Sequence, residues 1–243
     1  MANNNSIQSL YWIDGDDPNS AFPPLEQALS DPDGLLAFGG DLSVERLLKA
    51  YRCGIFPWFS DDQPIMWWSP DPRTVLFPHD LKISRSLAKT CRKIPFEITL
   101  NRAFADVINA CAAPRSDGEG TWITDDMQQA YCNLHEAGHA HSVEAWQDGQ
   151  LVGGLYGIAI GQVFFGESMF ANKTDASKVA FVHLVQQLQA WEFQLIDCQV
   201  DSAHLQSLGA SQLSRAKFSN YLDMYCEAET KGANWHTGQL NIE

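Results

Sequence analysis

The spacing of apolar residues along the chain predicts several amphipathic helices. One helix is expected between Ser43, which can cap its start, and Gly54, which can close its end. Its apolar face, at helical spacing, consists of Val44, Leu47, Leu48 and Tyr51. Further helices are expected over about residues 80–93, 101–111, 124–137, 176–192 and 214–225.

The period changes to that of β-strands after residue 140. Apolar and alternating runs over residues 141–147, 151–160 and 163–170 predict a three-stranded antiparallel meander with tight turns at Asp148-Gly149 and Gly161. Residues 195–200, LIDCQV, predict a buried strand after the 176–192 helix. This order of meander, helix, strand and helix predicts an α+β fold with a mixed sheet.

Residues 56–73 combine four prolines with Trp58, Trp67 and Trp68. Proline has no amide N–H and a fixed φ, so this composition argues against a helix or a central strand. We expect an ordered aromatic loop with a domain boundary near Asp71. The predicted organisation is a small N-terminal domain over residues 1–71 and a larger domain over residues 72–243.

The composition is that of a packed globular protein: of 243 residues, 45% are hydrophobic and 19% are charged. No apolar run approaches the ~18 residues of a membrane span, and the first residues lack the basic and apolar regions of a secretory signal. The six cysteines form no CxxC pair and are expected to be reduced thiols. These features predict a cytoplasmic protein with no membrane partner.

The formal net charge is −14, yet five of the 16 lysine and arginine residues fall within residues 82–93. On a helix over residues 80–93 the five would project from one face, beside an apolar face of Ile83, Leu87, Cys91 and Ile94. This basic face either binds nucleic-acid phosphates, which gives affinity without sequence recognition, or is solvated surface. Its members are Lys82, Arg85, Lys89, Arg92 and Lys93.

The segment His135-Glu136-Ala137-Gly138-His139 matches the HExxH pattern of zinc peptidases. That pattern requires both histidines on one continuous helix. Gly138 follows the last apolar residue of the predicted helix, and glycine is typical of the position just after a helix end. We therefore expect the helix to end before His139 and predict no metal site. A zinc peptidase stays as a rival hypothesis.

Polar side chains interrupt two otherwise apolar strands. Asp197 and Gln199 lie two apart in LIDCQV, so both should point to one face, where buried polar groups must be paired or must line a cavity. Glu167 follows Gly166 between the aromatic residues of FFGESMF, and the glycine indicates a bulge or a close backbone approach. From these residues alone, a catalytic site and a purely structural set of strand ends and caps both remain open.

Long segments of the chain resemble one protein family. They are GLLAFGGDLS, YRCGIFPWFS, MWWSPDPR, ISRSL, EGTWIT, LHEAGHAHSVEAW, LVGGLYG, FFGESMF, ASK and LIDCQV, from about residue 22 to residue 221. The chain is similar to the bacterial leucyl/phenylalanyl-tRNA–protein transferases. The resemblance does not extend to the last dozen residues, GANWHTGQLNIE.

The resemblance implies transfer of Leu, Phe or Met from an aminoacyl-tRNA to a protein that begins with Arg or Lys, which creates an N-degron for protein degradation. It also implies a small N-terminal domain followed by an acetyltransferase-like (GNAT) mixed-sheet domain. The implied pocket for the aminoacyl side chain includes Trp58, Trp122, Leu155 and Phe164, with Leu155 replacing a methionine common in the family. The implied catalytic residues are Glu167, Asp197 and Gln199.

Strict alternation along the strand would put Phe164 and Glu167 on opposite faces. A bulge near Gly166 is therefore needed if both line one pocket.

The implied reaction needs no cofactor, because the ester between amino acid and tRNA is already activated. Most of the rate should come from positioning and from oxyanion stabilisation. Gln199 would orient the attacking amine, and Asp197 would polarise or orient Gln199 and could take the proton, directly or through water. Glu167 would face the cationic acceptor. The basic face would hold the tRNA through its phosphates, and the enzyme is expected to be a monomer.

Two further hypotheses compete with this one. A non-catalytic RNA-binding module would explain the basic face but would leave Asp197 and Gln199 without a role. A CoA-dependent acetyltransferase would require the pyrophosphate-binding pattern Q/RxxGxG/A before the 176–192 helix, and that pattern is absent from the sequence.

Overall fold

The computed structural model describes residues 11–17, 20–93, 95–113, 122–230 and 233–240. The helices in these ranges are α1 (Val44–Arg52), α2 (Arg85–Lys93), α3 (Phe104–Ala112), α4 (Asp125–Glu136), α5 (Ala176–Ala190), α6 (Ala203–Ser207) and α7 (Arg215–Tyr225). The strands are β1 (Tyr11–Ile13), β2 (Leu35–Gly39), β3 (Phe56–Pro57), β4 (Met66–Trp68), β5 (Arg73–Leu76), β6 (Glu97–Leu100), β7 (Ala140–Gln147), β8 (Gln150–Ile160), β9 (Val163–Ala171), β10 (Leu195–Gln199), β11 (Ser211–Leu213) and β12 (Gly238–Gln239). Among the described helices, none has the length and apolar character needed to cross a bilayer.

A four-stranded sheet has the spatial order β1-β2-β4-β3. β1 runs parallel to β2, and the other pairs are antiparallel. The prediction of a loop over residues 56–73 is therefore wrong in part, because β3, β4 and the start of β5 lie inside it. The positions of the prolines explain why strands can form within this segment. β4 contains none and is internal, whereas Pro57 lies in the edge strand β3, where a missing N–H leaves the sheet intact.

An eight-stranded mixed sheet has the order β11-β5-β10-β9-β8-β7-β6-β12. The predicted meander is confirmed as β7, β8 and β9, with left-handed backbone at Asp148, Gly149 and Gly161 in its turns. α5 connects β9 to β10, and these two strands pair in parallel. β10 also pairs with β5, so it is an internal strand, as its apolar sequence predicts.

Two apolar clusters form the core. One contains the α5 side chains Val179, Leu184 and Val185 together with residues of the large sheet. The other combines residues of α1, α3, α4 and the small sheet with β8 and β9. The ring centres of Tyr51 on α1 and Phe165 on β9 are 5.2 Å apart. Because the two sheets share this core, side chains of α1 reach the middle of the large sheet.

The predicted starts of α1 and α4 are confirmed by their capping hydrogen bonds. The Ser43 hydroxyl accepts the backbone N–H of Arg46 at 3.3 Å. The Thr124 hydroxyl accepts that of Met127 at 3.2 Å. Each bond satisfies an amide that has no partner within the first turn of its helix.

The predicted end of α4 is also confirmed. Gly138 has a φ of 83°, its N–H donates to the His135 carbonyl, and the His139 N–H donates to the Leu134 carbonyl. This pair of bonds is a Schellman motif, which takes His139 off the helical path. The His135 ring stacks on Phe104 at 4.3 Å. In the described ranges, no three His, Cys, Asp or Glu side chains are grouped as a metal site.

The basic helix α2 begins at Arg85 rather than near residue 80. The Ser84 hydroxyl accepts the Leu87 N–H at 3.2 Å and so caps the helix at that point. The prediction of one helical face is therefore wrong for Lys82, which precedes the helix. It holds for the four cations inside α2, which are Arg85, Lys89, Arg92 and Lys93.

The apolar face of α2 is shorter than the sequence predicts. Leu87 is buried, but Ile83 lies before the helix and is 36% exposed. Ile94 lies outside the described residues.

Candidate active site

A cavity of about 420 Å³ is bordered by residues of β3, β8, β9, α5 and β10. Its apolar wall includes Phe181 and Ile196, and the exposed Trp58 and Val200 border its opening. Every residue expected in the aminoacyl pocket lines this cavity, namely Trp58, Trp122, Leu155 and Phe164. The three polar candidates, Glu167, Asp197 and Gln199, line it as well. The structure thus brings the two predicted groups together.

A bulge on β9 lets Phe164 and Glu167 line the same cavity. The pairing of Gly157 with Gly166 is followed by a pair that skips Glu167, so Glu167 has no partner on β8. A bulge places the extra residue on the same face as its neighbour, so Glu167 shares the face of Gly166 and Phe164. The predicted bulge near Gly166 is therefore confirmed.

A second irregularity lies on β10. Asp197 and Gln199 pair with adjacent residues of β5, so Cys198 is the extra residue. Gln199 has a φ of 61°, which is uncommon for a non-glycine residue. The regular alternation assumed from the sequence fails here, and the Gln199 side chain donates from Nε2 to Glu167 Oε1 at 2.9 Å.

Asp197 forms a buried ion pair with Arg73. Arg73 Nε lies 2.8 Å from Oδ1 and Nη2 lies 2.7 Å from Oδ2, and the two side chains are 1% and 0% exposed. The guanidinium lies 4.7 Å from the ring centres of both Phe56 and Phe218. Asp197 Oδ1 also accepts the backbone N–H of Gln199 at 2.9 Å. Such complete pairing is what makes a charged pair tolerable in a protein interior.

Of the roles expected of Asp197, this pairing favours the orientation of Gln199. Its carboxylate accepts the backbone N–H of Gln199 and so orients this residue through its main chain. Although Asp197 borders the cavity, both of its oxygens are bound and shielded from solvent.

Glu167 is the acid with access to the cavity. The Tyr51 hydroxyl donates to Oε1 at 2.8 Å, and the Tyr131 hydroxyl donates to Oε2 at 2.7 Å. Burial raises the pKa of Glu167 to about 7, although the hydrogen bonds from Tyr131 and Tyr51 act in the opposite direction. Burial and the nearby Glu167 charge raise the pKa of both tyrosines well above their usual range. Both hydroxyls therefore stay protonated and remain donors.

The hydroxyls of Tyr51 and Tyr131 also contact each other, with their oxygens 2.5 Å apart. The carboxyl of Glu167 and the two hydroxyls therefore form a ring with three oxygen–oxygen contacts. When Glu167 is ionised, two hydrogens serve these three contacts, and when Glu167 is protonated, its own hydrogen supplies the third. The ring is therefore fully hydrogen-bonded only when Glu167 is protonated, whereas ionisation leaves one oxygen–oxygen contact without a hydrogen.

Three residues of this site were missed in the sequence. The sequence interpretation places Tyr51 and Tyr131 on apolar helix faces and gives Arg73 no role. A signal was present in each case. A buried tyrosine hydroxyl needs a hydrogen-bond partner, and a lone arginine before the apolar run TVLF needs a buried acid.

None of the five predicted tRNA-binding residues lines the cavity. They are exposed on and before α2, which packs against α5. Thr90 on α2 contacts Asp175, at the start of α5, with 3.5 Å between Oγ1 and Oδ2. Because α5 also carries Phe181 of the cavity wall, one helix connects the basic surface to the cavity.

Comparisons with known proteins agree on one family. The family model for leucyl/phenylalanyl-tRNA protein transferase matches residues 75–223, and the model for its N-terminal domain matches residues 40–71. A leucyl/phenylalanyl-tRNA–protein transferase of Stutzerimonas stutzeri is 58% identical over 226 residues, which cover 93% of this chain and 99% of the relative. A transferase of the same name from Aromatoleum aromaticum is 64% identical over 209 residues, which cover 86% of this chain and 87% of the relative. A solved Bacteroides thetaiotaomicron protein of unknown function is 15% identical, with a TM-score of 0.43 over 61% of this chain and 55% of that one.

We predict that replacing Arg73 by Met lowers the free energy of unfolding by about 3–5 kcal/mol, because Asp197 then keeps a buried, unpaired charge. Urea denaturation of the purified variant measures this. A second substitution, Asp197→Leu, in the same chain should recover a large part of the loss, since it removes the orphaned charge.

The matched control is Arg52→Met. Arg52 pairs with Glu227 at 3.4 Å, but the two side chains are 42% and 78% exposed. Its loss should change stability by less than about 1 kcal/mol. Equal losses in the Arg52 and Arg73 variants would contradict a structural role for the buried pair.

Proposed function

The chain belongs to the leucyl/phenylalanyl-tRNA–protein transferase family, and from this premise we propose how its cavity carries out the transfer. The protein is an aminoacyltransferase that moves an aminoacyl group from tRNA to a protein. The acyl groups are Leu, Phe and Met, and the acceptors are proteins that begin with Arg or Lys. The observation that carries this proposal is the placement of Glu167, with a pKa of about 7, at the junction of an apolar cavity and the Gln199 amide.

The apolar part of the cavity holds the aminoacyl side chain. Its wall of Trp58, Trp122, Leu155 and Phe164 offers no charged group to a Leu or Phe side chain. An apolar pocket excludes charged side chains strongly but separates neighbours that differ by one methylene by only ~1–3 kcal/mol. This accounts for the use of two or three large apolar amino acids by one site.

The acceptor amine attacks the ester carbonyl beside Glu167. A C–N bond forms, the proton leaving the nitrogen passes to the Glu167 carboxylate, and the C–O bond to the tRNA ribose breaks. The proton then passes from Glu167 to the departing ribose oxygen. A base with a pKa of about 7 suits an α-amine, whose ordinary pKa is ≈ 7.7–8.0.

Gln199 and the buried ion pair position this acid. The Gln199 amide is too weak a base to take a proton, so its role is to orient Glu167 and the incoming amine by hydrogen bonding. Asp197 acts indirectly, through the backbone of Gln199. Its bond to the Gln199 backbone stabilises the left-handed conformation that directs the amide at Glu167. Neither role requires a cofactor.

The exposed cations of Lys82 and α2 bind tRNA phosphates. The packing of α2 on α5 supports this proposal, because it places the basic surface near the cavity that receives the aminoacyl end. Elsewhere the negative charge of the protein repels RNA and favours a cationic acceptor. The long-range part of this binding depends on salt.

The remaining features of the proposal concern the whole molecule. We propose domains over residues 1–71 and 72–243, supported by the separate family models for residues 40–71 and 75–223. We propose an acetyltransferase-like (GNAT) arrangement for the second, supported by the parallel pairing of β9 and β10 through α5. The enzyme would act in the cytoplasm as a monomer, and its product would be an N-degron.

We predict that the protein transfers label from Phe-tRNA, labelled on the amino acid, to a protein that begins with Arg. The same acceptor with an acetylated N-terminus should receive none, because it has no free amine to attack the ester. Counting protein-bound label measures both. A wild-type protein that labels neither Arg- nor Lys-starting acceptors, from either Leu-tRNA or Phe-tRNA, would overturn the proposed function.

We predict that transfer rises with pH through about 7. The pKa of Glu167 is raised, so this acid is protonated below that pH and becomes the required carboxylate above it. Glu167→Gln should lower the rate by about 10²–10⁴-fold and remove this rise, leaving only the one due to the acceptor amine near pH 8. Single-turnover transfer from pH 5.5 to 9 tests this, with exposed Glu45→Gln as the control. A rise near pH 7 that persists in the Glu167 variant would rule out this base.

We predict that the double variant Arg85→Gln, Lys89→Gln weakens tRNA binding and reduces the slope of log affinity against log salt by about 2, one for each lost phosphate contact. Filter binding at several salt concentrations measures this. The double variant Arg52→Gln, Lys217→Gln, on α1 and α7, has the same net charge and should keep the wild-type slope. Identical slopes in the two variants would show that α2 does not contact the phosphates.

A further inference from the structure

The C-terminal segment, residues 233–240, returns to the edge of the large sheet. Its strand β12 pairs with β6, and the Leu240 N–H donates to the Ile98 carbonyl at 2.9 Å. Asn101 fixes the preceding turn, since its side-chain amide donates to the Trp235 carbonyl and its carbonyl accepts the Thr237 hydroxyl. This segment lies outside residues 75–223, which the family model matches.

The C-terminal segment packs the half-buried ring of Trp235 against the core. His141 on β7 stacks on it, with ring centres 3.9 Å apart and planes 9° apart. Trp191 and Phe193, just after α5, meet it edge-on at 4.8 Å and 5.9 Å. Phe164 stacks near it at 6.0 Å with planes 20° apart. Of these partners, only Phe164 also lines the cavity.

Outside the cavity, the Phe164 ring is bordered by Gly157 and Trp235. A Cβ added to Gly157 would lie 2.6 Å from the Phe164 ring, so the glycine backbone closes off one side of that ring. Phe164 is 1% exposed, and it shares the cavity wall with Leu155 and Phe181. Protein interiors are close-packed, so a ring with this surrounding moves only if a neighbour makes room.

We infer that Trp235 is a positioning residue that sets the depth of the aminoacyl pocket and thereby the ratio of Phe to Leu transfer. It acts through Phe164, because the indole packs behind that ring and keeps it in the cavity wall. Loss of the indole leaves space into which Phe164 can retreat, and the deepened pocket then favours the longer Phe side chain over Leu. This inference rests on the proposed function.

The experiment is a competition between Leu-tRNA and Phe-tRNA, carrying different labels on the amino acid, for one acceptor that begins with Arg. Both esters compete for the same folded molecules, so the ratio of products does not depend on how much enzyme is folded. Trp235→Ala should raise the Phe-to-Leu ratio by at least about threefold, the size expected for the loss of an aromatic contact. Trp235→Phe, which keeps a ring behind Phe164, should stay near the wild-type ratio.

Trp12→Ala is the matched control, because Trp12 is 67% exposed and lies on the edge strand β1 of the small sheet. It should leave the ratio unchanged. If Trp235→Ala does not fold, Trp235→Leu fills part of the space and should shift the ratio in the same direction by a smaller factor.

An unchanged ratio in the Trp235→Ala or Trp235→Leu variant, even with a lower total rate, overturns the inference and leaves Trp235 a purely structural role. A shift toward Leu also overturns it. A wild-type protein that transfers neither amino acid contradicts the proposed function instead, so the two failures are distinguishable.

Discussion

The buried pair of Arg73 and Asp197 is the interaction on which the geometry of this site depends. It connects β5 to the neighbouring strand β10, and it reaches two other elements through Phe56 of β3 and Phe218 of α7. Because an unpaired charge in the interior is costly, each partner restricts where the other can lie. The ion pair therefore fixes β10 at Asp197, the residue before the bulge. This in turn determines where the Gln199 backbone lies.

Two carboxylates in one cavity have different surroundings. Asp197 has a fixed counter-charge, whereas the donors to Glu167 in the described part of the chain are neutral: two tyrosine hydroxyls and an amide. Burial without a counter-charge raises the pKa of Glu167 to about 7. Divergent environments of this kind commonly separate a structural acid from one that exchanges protons. Here the difference in environment follows from which side chains surround each acid.

The cavity is built from parts of the chain that are distant in sequence. Trp58 follows the small sheet strand β3, Phe181 belongs to α5, and Phe164 lies on β9 with Trp235 of the C-terminal segment behind it. The shared core of the two sheets holds the first of these parts against the others. A site assembled in this way is sensitive to packing at some distance from the reacting atoms, because close-packed side chains transmit displacements.

The sequence by itself determined the local elements: the meander, α5, the capped starts of α1 and α4, and the glycine that ends α4. It also determined the family and seven of the residues that line the cavity, since these lie in contiguous motifs. Only the tertiary structure decided that Asp197 pairs with Arg73, that Glu167 pairs with Tyr51 and Tyr131, and that Lys82 lies outside α2. Periodicity gives the face on which a side chain lies, but a partner more than a hundred residues away is chosen by packing and by the need to satisfy each buried polar group.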